Sequence, residues 1–200
     1  MEKNQKVLAM SLVALLISLA SIAIAFAAMS QDLYINGEAE FNPASWDVRF
    51  NTASLSKAEV GDGTGTTPTI TATTIGTYSV SLTKPGDAVR YTFNVENNGS
   101  LDAILAAISK NAPTCTGMST DPTDQAADEA MVCGNLIYTL TKSTYSGAPV
   151  AINDTLAKKS GTATQQTMVI NIEYPSTMAT VPTDDVMITI PQVVLTYEQN

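Results

Sequence analysis

The chain has 200 residues, 44% of them hydrophobic and 14% charged, so it is long enough for one domain with a sizeable core and too apolar to be disordered. Its net charge of −9 disfavours nucleic acid as a partner, because phosphate binding needs a basic surface. The sequence has no histidine, which excludes histidine-containing catalytic triads and zinc sites that need imidazole ligands.

The chain begins with a pattern typical of an export signal. A basic start precedes an apolar run over residues 7–29, which ends in Ala25-Phe26-Ala27-Ala28. This small-x-small pattern is one that signal peptidase accepts. We therefore expect residues 1–27 to be a signal peptide that is cut between Ala27 and Ala28, with cuts after Ala25 or Ala28 as variants.

The same apolar run is long enough to span a bilayer, so a retained membrane anchor with a cytoplasmic N-terminus is the alternative. In both cases we expect residues 28–200 to form a single domain that is extracellular or at the cell surface. The membrane is then a partner only through the N-terminal segment.

Strand-like patterns begin after the export segment. Residues 33–41 alternate in part, and residues 46–50 alternate apolar and polar side chains throughout, which indicates a half-buried strand with Trp46 in the core. Residues 61–65 are expected to be a flexible loop. They are not a phosphate-binding loop, because no Gly-Lys-Ser/Thr follows them.

The rest of the chain consists of apolar runs separated by Gly, Pro and Asn turns. We expect Gly76 to form a bulge or turn in one strand and Pro191 to push the last strand towards an edge or a bulge. The predicted strands cover residues 69–82, 89–96, 101–108, 136–140, 150–156, 168–174 and 186–197. About eight strands predict an all-β fold, an antiparallel β-sandwich of jelly-roll or Ig-like layout. A short helix is expected only within residues 121–131.

Two cysteines, Cys115 and Cys133, lie in the part predicted to be exported. Two cysteines outside the cytosol usually form a disulfide. The bond would close a loop of about 17 residues and contribute about 3 kcal/mol. We expect this loop to be polar and exposed.

Acidic residues gather in three places: Asp121 with Asp124, Asp128-Glu129, and Asp184-Asp185. Calcium is one candidate ligand for such groups, but none matches the spacing of an EF-hand. We expect solvated loop charges instead. No residue is predicted to be catalytic, to bind a cofactor or to bind a metal.

Residues 82–102 read LTKPGDAVRYTFNVENNGSLD, with one turn at Pro85-Gly86-Asp87 and another at Asn98-Gly99. This stretch, after a long N-terminal signal that leads directly into a strand, resembles the TasA/camelysin family of secreted bacterial proteins. The resemblance implies a jelly-roll-like sandwich that polymerises into fibres of the extracellular biofilm matrix. Some camelysin relatives carry a metallopeptidase label, but this chain has no HExxH motif.

In such fibres the N-terminal strand of one subunit completes a sheet of the next. Here the resemblance implies a donor within residues 28–41, which would place Leu33, Ile35, Ala39 and Phe41 in the acceptor groove. Head-to-tail pairing does not close on itself and therefore gives a homo-polymer. The alternative is that this strand pairs within its own domain.

Two functions follow from the sequence. The first is a structural subunit of a surface fibre or biofilm matrix, without enzymatic activity. The second is a monomeric adhesion or binding module, either secreted or anchored in the membrane. A hydrolase is disfavoured.

Overall fold

The computed structural model describes residues 44–200 together with four helical residues of the N-terminal segment: Met10, Val13, Leu15 and Leu16. The chain divides into two compact units, Met1–Asn42 and Pro43–Asn200. Among the described residues, no helix has the length and apolar character needed to cross a membrane.

Three predictions lie outside the described residues. They are the cleavage site at Ala27 and Ala28, the strand over residues 33–41, and the donor positions Leu33, Ile35, Ala39 and Phe41.

Antiparallel strands are the main regular structure of the second unit. The strands are β1 (Val48–Phe50), β2 (Ser56–Val60), β3 (Thr64–Gly65), β4 (Tyr78–Ser81), β5 (Ala88–Asn97), β6 (Ala103–Lys110), β7 (Thr114–Gly117), β8 (Ile137–Lys142), β9 (Thr155–Leu156), β10 (Thr164–Glu173), β11 (Val186–Ile190) and β12 (Val193–Gln199). One helix, α1 (Pro122–Asn135), lies between β7 and β8.

Sheet 1 has the order β1-β5-β10-β8, and β2 also pairs with β5. Its centre is the ladder between β5 and β10, which runs over ten residue pairs from Thr164↔Asn97 to Glu173↔Ala88. Every second residue of β5 is buried, from Val89 to Val95. The alternation in the sequence therefore predicted this strand and its core face correctly.

Sheet 2 has the order β3-β4-β11-β7, and sheet 3 has the order β12-β6-β9. The residue pairing of sheet 2 continues in sheet 3 without a shift. The pairing of Thr189 with Thr114 in sheet 2 continues as the pairing of Val193 with Lys110 in sheet 3. Sheets 2 and 3 are thus two parts of one antiparallel ladder, which is interrupted near Pro113 and Pro191.

Buried side chains from all three sheets form one hydrophobic cluster, which includes Phe93 of sheet 1, Ile188 of sheet 2 and Leu105 of sheet 3. The prediction of an all-β antiparallel fold is confirmed, and the arrangement fits a β-sandwich.

Several predicted strands differ from the observed ones. The strand predicted over residues 186–197 is two strands in different sheets, because Pro191 has no N–H to donate to a ladder. Of residues 69–82, only Tyr78–Ser81 form a strand, and Ile70 and Ile75 form an isolated bridge. Thr64–Gly65, predicted to be loop, pair with β4.

Trp46 was predicted to anchor the core, and this is wrong, because its side chain is 44% exposed. Strand β1 begins only at Val48, which pairs with Asn97 at the end of β5. Trp46 therefore lies beyond the last residue pair and beyond the core.

The segment between the two cysteines is also more ordered than predicted. Helix α1 begins after Asp121, whose side chain accepts a hydrogen bond from the Thr123 amide at 2.8 Å, and Pro122 occupies its first turn. The helix continues to Asn135, beyond the predicted end at residue 131.

Candidate functional site

The fold presents several sheet edges, and an edge strand is a site where another strand can add. The edge of sheet 2 at β7 is protected by α1. The predicted disulfide is present and joins Cys115 of β7 to Cys133 of α1, with their Cα atoms 6.0 Å apart. The Glu129 carboxylate accepts a hydrogen bond at 2.9 Å from the amide of Gly117. Disulfides are typical of oxidising compartments outside the cytosol.

A buried carboxylate also fixes α1 to the loop before β11. Asp128 is 2% exposed and accepts hydrogen bonds from the amides of Thr183 and Asp184, each at 3.0 Å, and from the Thr183 hydroxyl at 2.8 Å. The Thr183 amide is the main cause of a pKa below the ordinary value for this carboxyl. The prediction of a solvated charge is therefore wrong for Asp128.

The edge of sheet 1 at β8 is covered by the chain that follows it. The amide of Lys142 donates to the carbonyl of Ala148 at 2.8 Å, and the amide of Val150 donates to the carbonyl of Leu140 at 3.1 Å. Thr141 and Pro149 form a bridge between these contacts. This edge is occupied by local chain.

The edge at β3 is satisfied by side chains of β2. Glu59 accepts a hydrogen bond from the Gly65 amide at 3.0 Å, and Lys57 donates to the Gly65 carbonyl. The N–H and C=O groups of Gly65 are thus both hydrogen-bonded.

Strands β2 and β12 each have one unpaired side within residues 44–200. Strand β2 pairs only with β5 and carries the charged Lys57 and Glu59, which disfavour strand addition. Strand β12 pairs only with β6, along all seven of its residues, and no backbone partner lies on its other side. Strand β4 covers this side of β11, but its ladder stops at Ile190, before Pro191. If β4 began earlier in the chain, its added residues would lie beside β12. In the described part of the chain no strand occupies this position.

A small cavity of mixed polarity lies at this edge. It measures about 110 Å³. Its lining comprises Val48, Arg49 and Phe50 of β1, Val95 of β5, Leu195 and Tyr197 of β12, and Ala72 and Thr73 of the loop before β4. The cavity has about the size of one apolar side chain.

Residues 106–110 of β6 also lack a second strand in the described part of the chain. Lys110 lies at the end of this shorter stretch, with its ammonium 4.3 Å from the centre of the Tyr138 ring and 2.8 Å from the Tyr138 carbonyl oxygen. Burial lowers the pKa of Lys110. A lysine at an edge opposes strand addition, so this edge is less suited to a partner.

The turn at Asn98-Gly99 holds the beginning of the described domain. The amide of Asn98 donates to the carbonyl of Asp47 at 2.8 Å, and the amide of Ser100 donates to the carbonyl of Ser45 at 2.9 Å. A Cβ atom on Gly99 would lie 2.6 Å from the Ser45 carbonyl oxygen, so only glycine allows this approach.

Asn97, which sequence reasoning did not select, supports the same turn from inside. It is fully buried, and its side chain donates to the carbonyls of Leu101 and Leu156 and accepts from the Gly99 amide. The turn fixes where the chain after residues 28–41 enters the domain.

The turn at Pro85-Gly86-Asp87 connects β4 and β5. Gly86 has φ +95°, a left-handed conformation that suits glycine. The Asp87 side chain is fully buried and accepts hydrogen bonds from the amides of Asp62, Thr83 and Lys84 and from the Thr83 hydroxyl. Burial opposes ionisation of this carboxyl, but these hydrogen bonds outweigh burial and hold its pKa below the ordinary value.

In the part of the chain that the structure describes, no group of three or more His, Cys, Asp or Glu side chains could hold a metal ion. Comparisons of the chain with protein-family models, with curated proteins and with solved structures found no match.

Proposed function

We propose that the protein is a secreted structural subunit, without enzymatic activity, that assembles into fibres by β-strand addition between copies. The open edge of β12 is the observation that carries this proposal. An added strand would pair with the free N–H and C=O groups of β12 and extend the row begun by β4.

The donor that we propose is the segment 28–41 of another copy. Leu33, Ile35, Ala39 and Phe41 occur at a spacing of two or a multiple of two, so an extended strand presents them on one face. That face can contact the apolar side chains of the cavity between β1 and β12, such as Phe50 and Leu195. Seven residues of β12 offer about 23 Å of edge, which a segment of this length can cover.

The resemblance of residues 82–102 to TasA/camelysin proteins supports the same proposal, because that family forms matrix fibres. The structure adds a physical role for the two turns of this stretch. Asp87 fixes one turn, and the Asn98-Gly99 turn holds residues 45–47, which follow the proposed donor. The apolar start of the chain and the disulfide fit an extracellular location.

A matched pair of substitutions tests the donor. Ile35→Asp places a charge on the proposed apolar face, whereas Asn36→Asp places the same charge on the opposite face. We expect Ile35→Asp protein to remain folded and soluble without fibres in electron micrographs, and Asn36→Asp protein to form fibres like the wild type.

Deletion of residues 28–41 distinguishes a strand that is donated to another copy from a strand that pairs within its own domain. A donor between copies predicts loss of fibres with little change in the melting temperature of the monomer. A strand that completes its own domain predicts a large loss of monomer stability. Fibres that persist without residues 28–41 would exclude the proposed donor.

A further inference from the structure

The outer face of sheet 2 carries a regular array of hydroxyl groups. Adjacent strands have Thr64-Gly65, Ser79-Val80-Ser81, Met187-Ile188-Thr189 and Thr114-Cys115-Thr116. Gly65, Val80, Ile188 and Cys115 face the protein interior, so the residues next to them in these strands face outwards. We call these outward residues the hydroxyl face: Thr64, Ser79, Ser81, Thr114, Thr116, Met187 and Thr189.

The register aligns the hydroxyl face in two rows. Thr64 pairs with Ser81, Ser81 with Met187, and Met187 with Thr116, so one row crosses all four strands. The second row contains Ser79, Thr189 and Thr114. Side chains are about 4.8 Å apart across the strands and about 6.8 Å apart along them.

The face is open and concave. A shallow cavity of about 430 Å³ lies on it, with Ser79, Ser81, Met118 and Met187 in its lining. Met118 is 57% exposed and Met187 is 47% exposed. Helix α1 is linked to the inward-facing Cys115, so it leaves the hydroxyl face uncovered.

The charge of the face indicates what it can bind. The protein has a net charge of −9, yet Asp185 is the one charged residue among the described residues that line this cavity. Without a cation, the face cannot attract a polyanion. Hydroxyl groups both donate and accept hydrogen bonds, and the threonine methyl and methionine side chains add apolar contacts.

We propose that the hydroxyl face binds an uncharged polysaccharide, whose own hydroxyl groups and apolar ring faces have the same mixed character. A flexible chain can follow the twist of about 20° between neighbouring strands, whereas a flat crystal surface such as ice cannot. This binding goes beyond fibre assembly and does not depend on it, because the face lies on sheet 2 and the open edge lies on β12.

Co-sedimentation of the full chain with amorphous, non-crystalline cellulose, chitin or β-1,3-glucan, whose chains are flexible, tests the proposal. Ser81→Glu with Thr116→Glu adds two charges on either side of Met187, at exposed positions. The matched control is Ser56→Glu with Ser109→Glu, which adds the same charge at exposed positions of β2 and β6. Circular dichroism and the melting temperature verify that both variants fold.

We expect the wild type and the control to bind at least one of these polymers equally. The face variant should bind about tenfold more weakly, because the longer, charged side chains would obstruct the approach of the polymer to the short hydroxyl side chains and would have to lose water. A second variant, Ser81→Ala with Thr116→Val, should also weaken binding without adding charge. Binding should not change between about 0.05 and about 0.5 M NaCl.

Three results would overturn the proposal. They are no retention of the wild type on any of the polymers, equal retention of the face variant and the control, or self-association through this face. Analytical ultracentrifugation of wild type and face variant detects the last of these, and electron microscopy of the same samples reports on fibre formation separately.

Discussion

Asp87 organises the connection between β4 and β5 from a fully buried position. In place of water, its carboxylate accepts hydrogen bonds from three backbone amides and one hydroxyl, which belong to residues 62, 83 and 84. A buried donor without a partner destabilises a protein by about 1–3 kcal/mol. This carboxylate is therefore a structural part of the Pro-Gly-Asp turn rather than a reactive group.

We expect Asp87→Asn to lower the free energy of unfolding by about 3 kcal/mol at neutral pH, because the amide cannot accept all of these hydrogen bonds. The pKa of Asp87 is lower in the folded than in the unfolded state. Its ionised form therefore stabilises the fold above the unfolded-state pKa of about 3.9, and this contribution is lost as the pH falls through the folded-state pKa.

Urea unfolding at neutral pH and in acid measures both effects. The difference between wild type and Asp87→Asn should become smaller in acid, where the wild-type carboxyl is also protonated. Asp185→Asn is the control, because that side chain is exposed. A constant difference at all pH values would contradict this account.

At the scale of elements, α1 and its disulfide protect the edge of sheet 2. The bond joins residues 18 apart in sequence. Helix α1 also uses Glu129 to accept from the amide of Gly117 and Asp128 to hold the loop before β11. The helix thus takes the place that a further strand would have beside β7.

Replacement of Cys115 and Cys133 by serine should lower the free energy of unfolding by about 3 kcal/mol, because a closed loop of this length restricts the unfolded chain. The variant should also aggregate faster, since α1 is then free to leave the edge at β7. Thermal unfolding and light scattering measure these changes. Reductant should reproduce both in the wild type and change nothing in the double variant.

The sequence predicted those elements in which alternation and burial agree. Strand β5 has a buried apolar side chain at every second position, and its prediction was close to the observed strand. Strand β2 is exposed at four of its five positions and pairs through its backbone, so no apolar period revealed it. Strand β7 has the polar sequence Thr-Cys-Thr-Gly and was missed for the same reason.

The candidate site depended on contacts that are distant in sequence. The open edge of β12 results from the end of the β4 ladder at Ile190 and from pairing with β6 more than 80 residues earlier. Local patterns do not contain that information. Pro191 did signal an irregular strand, but only the register shows that, within residues 44–200, the break leaves one side of β12 without a strand.

At the scale of the whole molecule, the proposed head-to-tail strand addition would give each subunit one donor and one acceptor. In this proposal the donor lies within residues 28–41 and the acceptor lies at β12. A variant that has lost only the acceptor can still insert its donor into a growing fibre. It cannot receive the next subunit, so it should end the fibre.

Leu195→Lys is such a variant. Leu195 lines the cavity beside β12, and a charge there opposes insertion of an apolar strand face. Ala130→Lys is the matched control, because it adds the same charge at an exposed position of α1, outside every strand. We expect Leu195→Lys protein alone to form no fibres and small amounts of it to shorten wild-type fibres.

The distribution of fibre lengths in electron micrographs measures this effect at increasing ratios of variant to wild type. The mean length should fall as the share of Leu195→Lys protein rises, because each incorporated copy removes one growing end, whereas Ala130→Lys protein should leave it unchanged. Leu195→Lys protein that lacks residues 28–41 should have no effect, because it can neither donate nor accept. Full-length fibres in an excess of Leu195→Lys protein would place the acceptor somewhere other than β12.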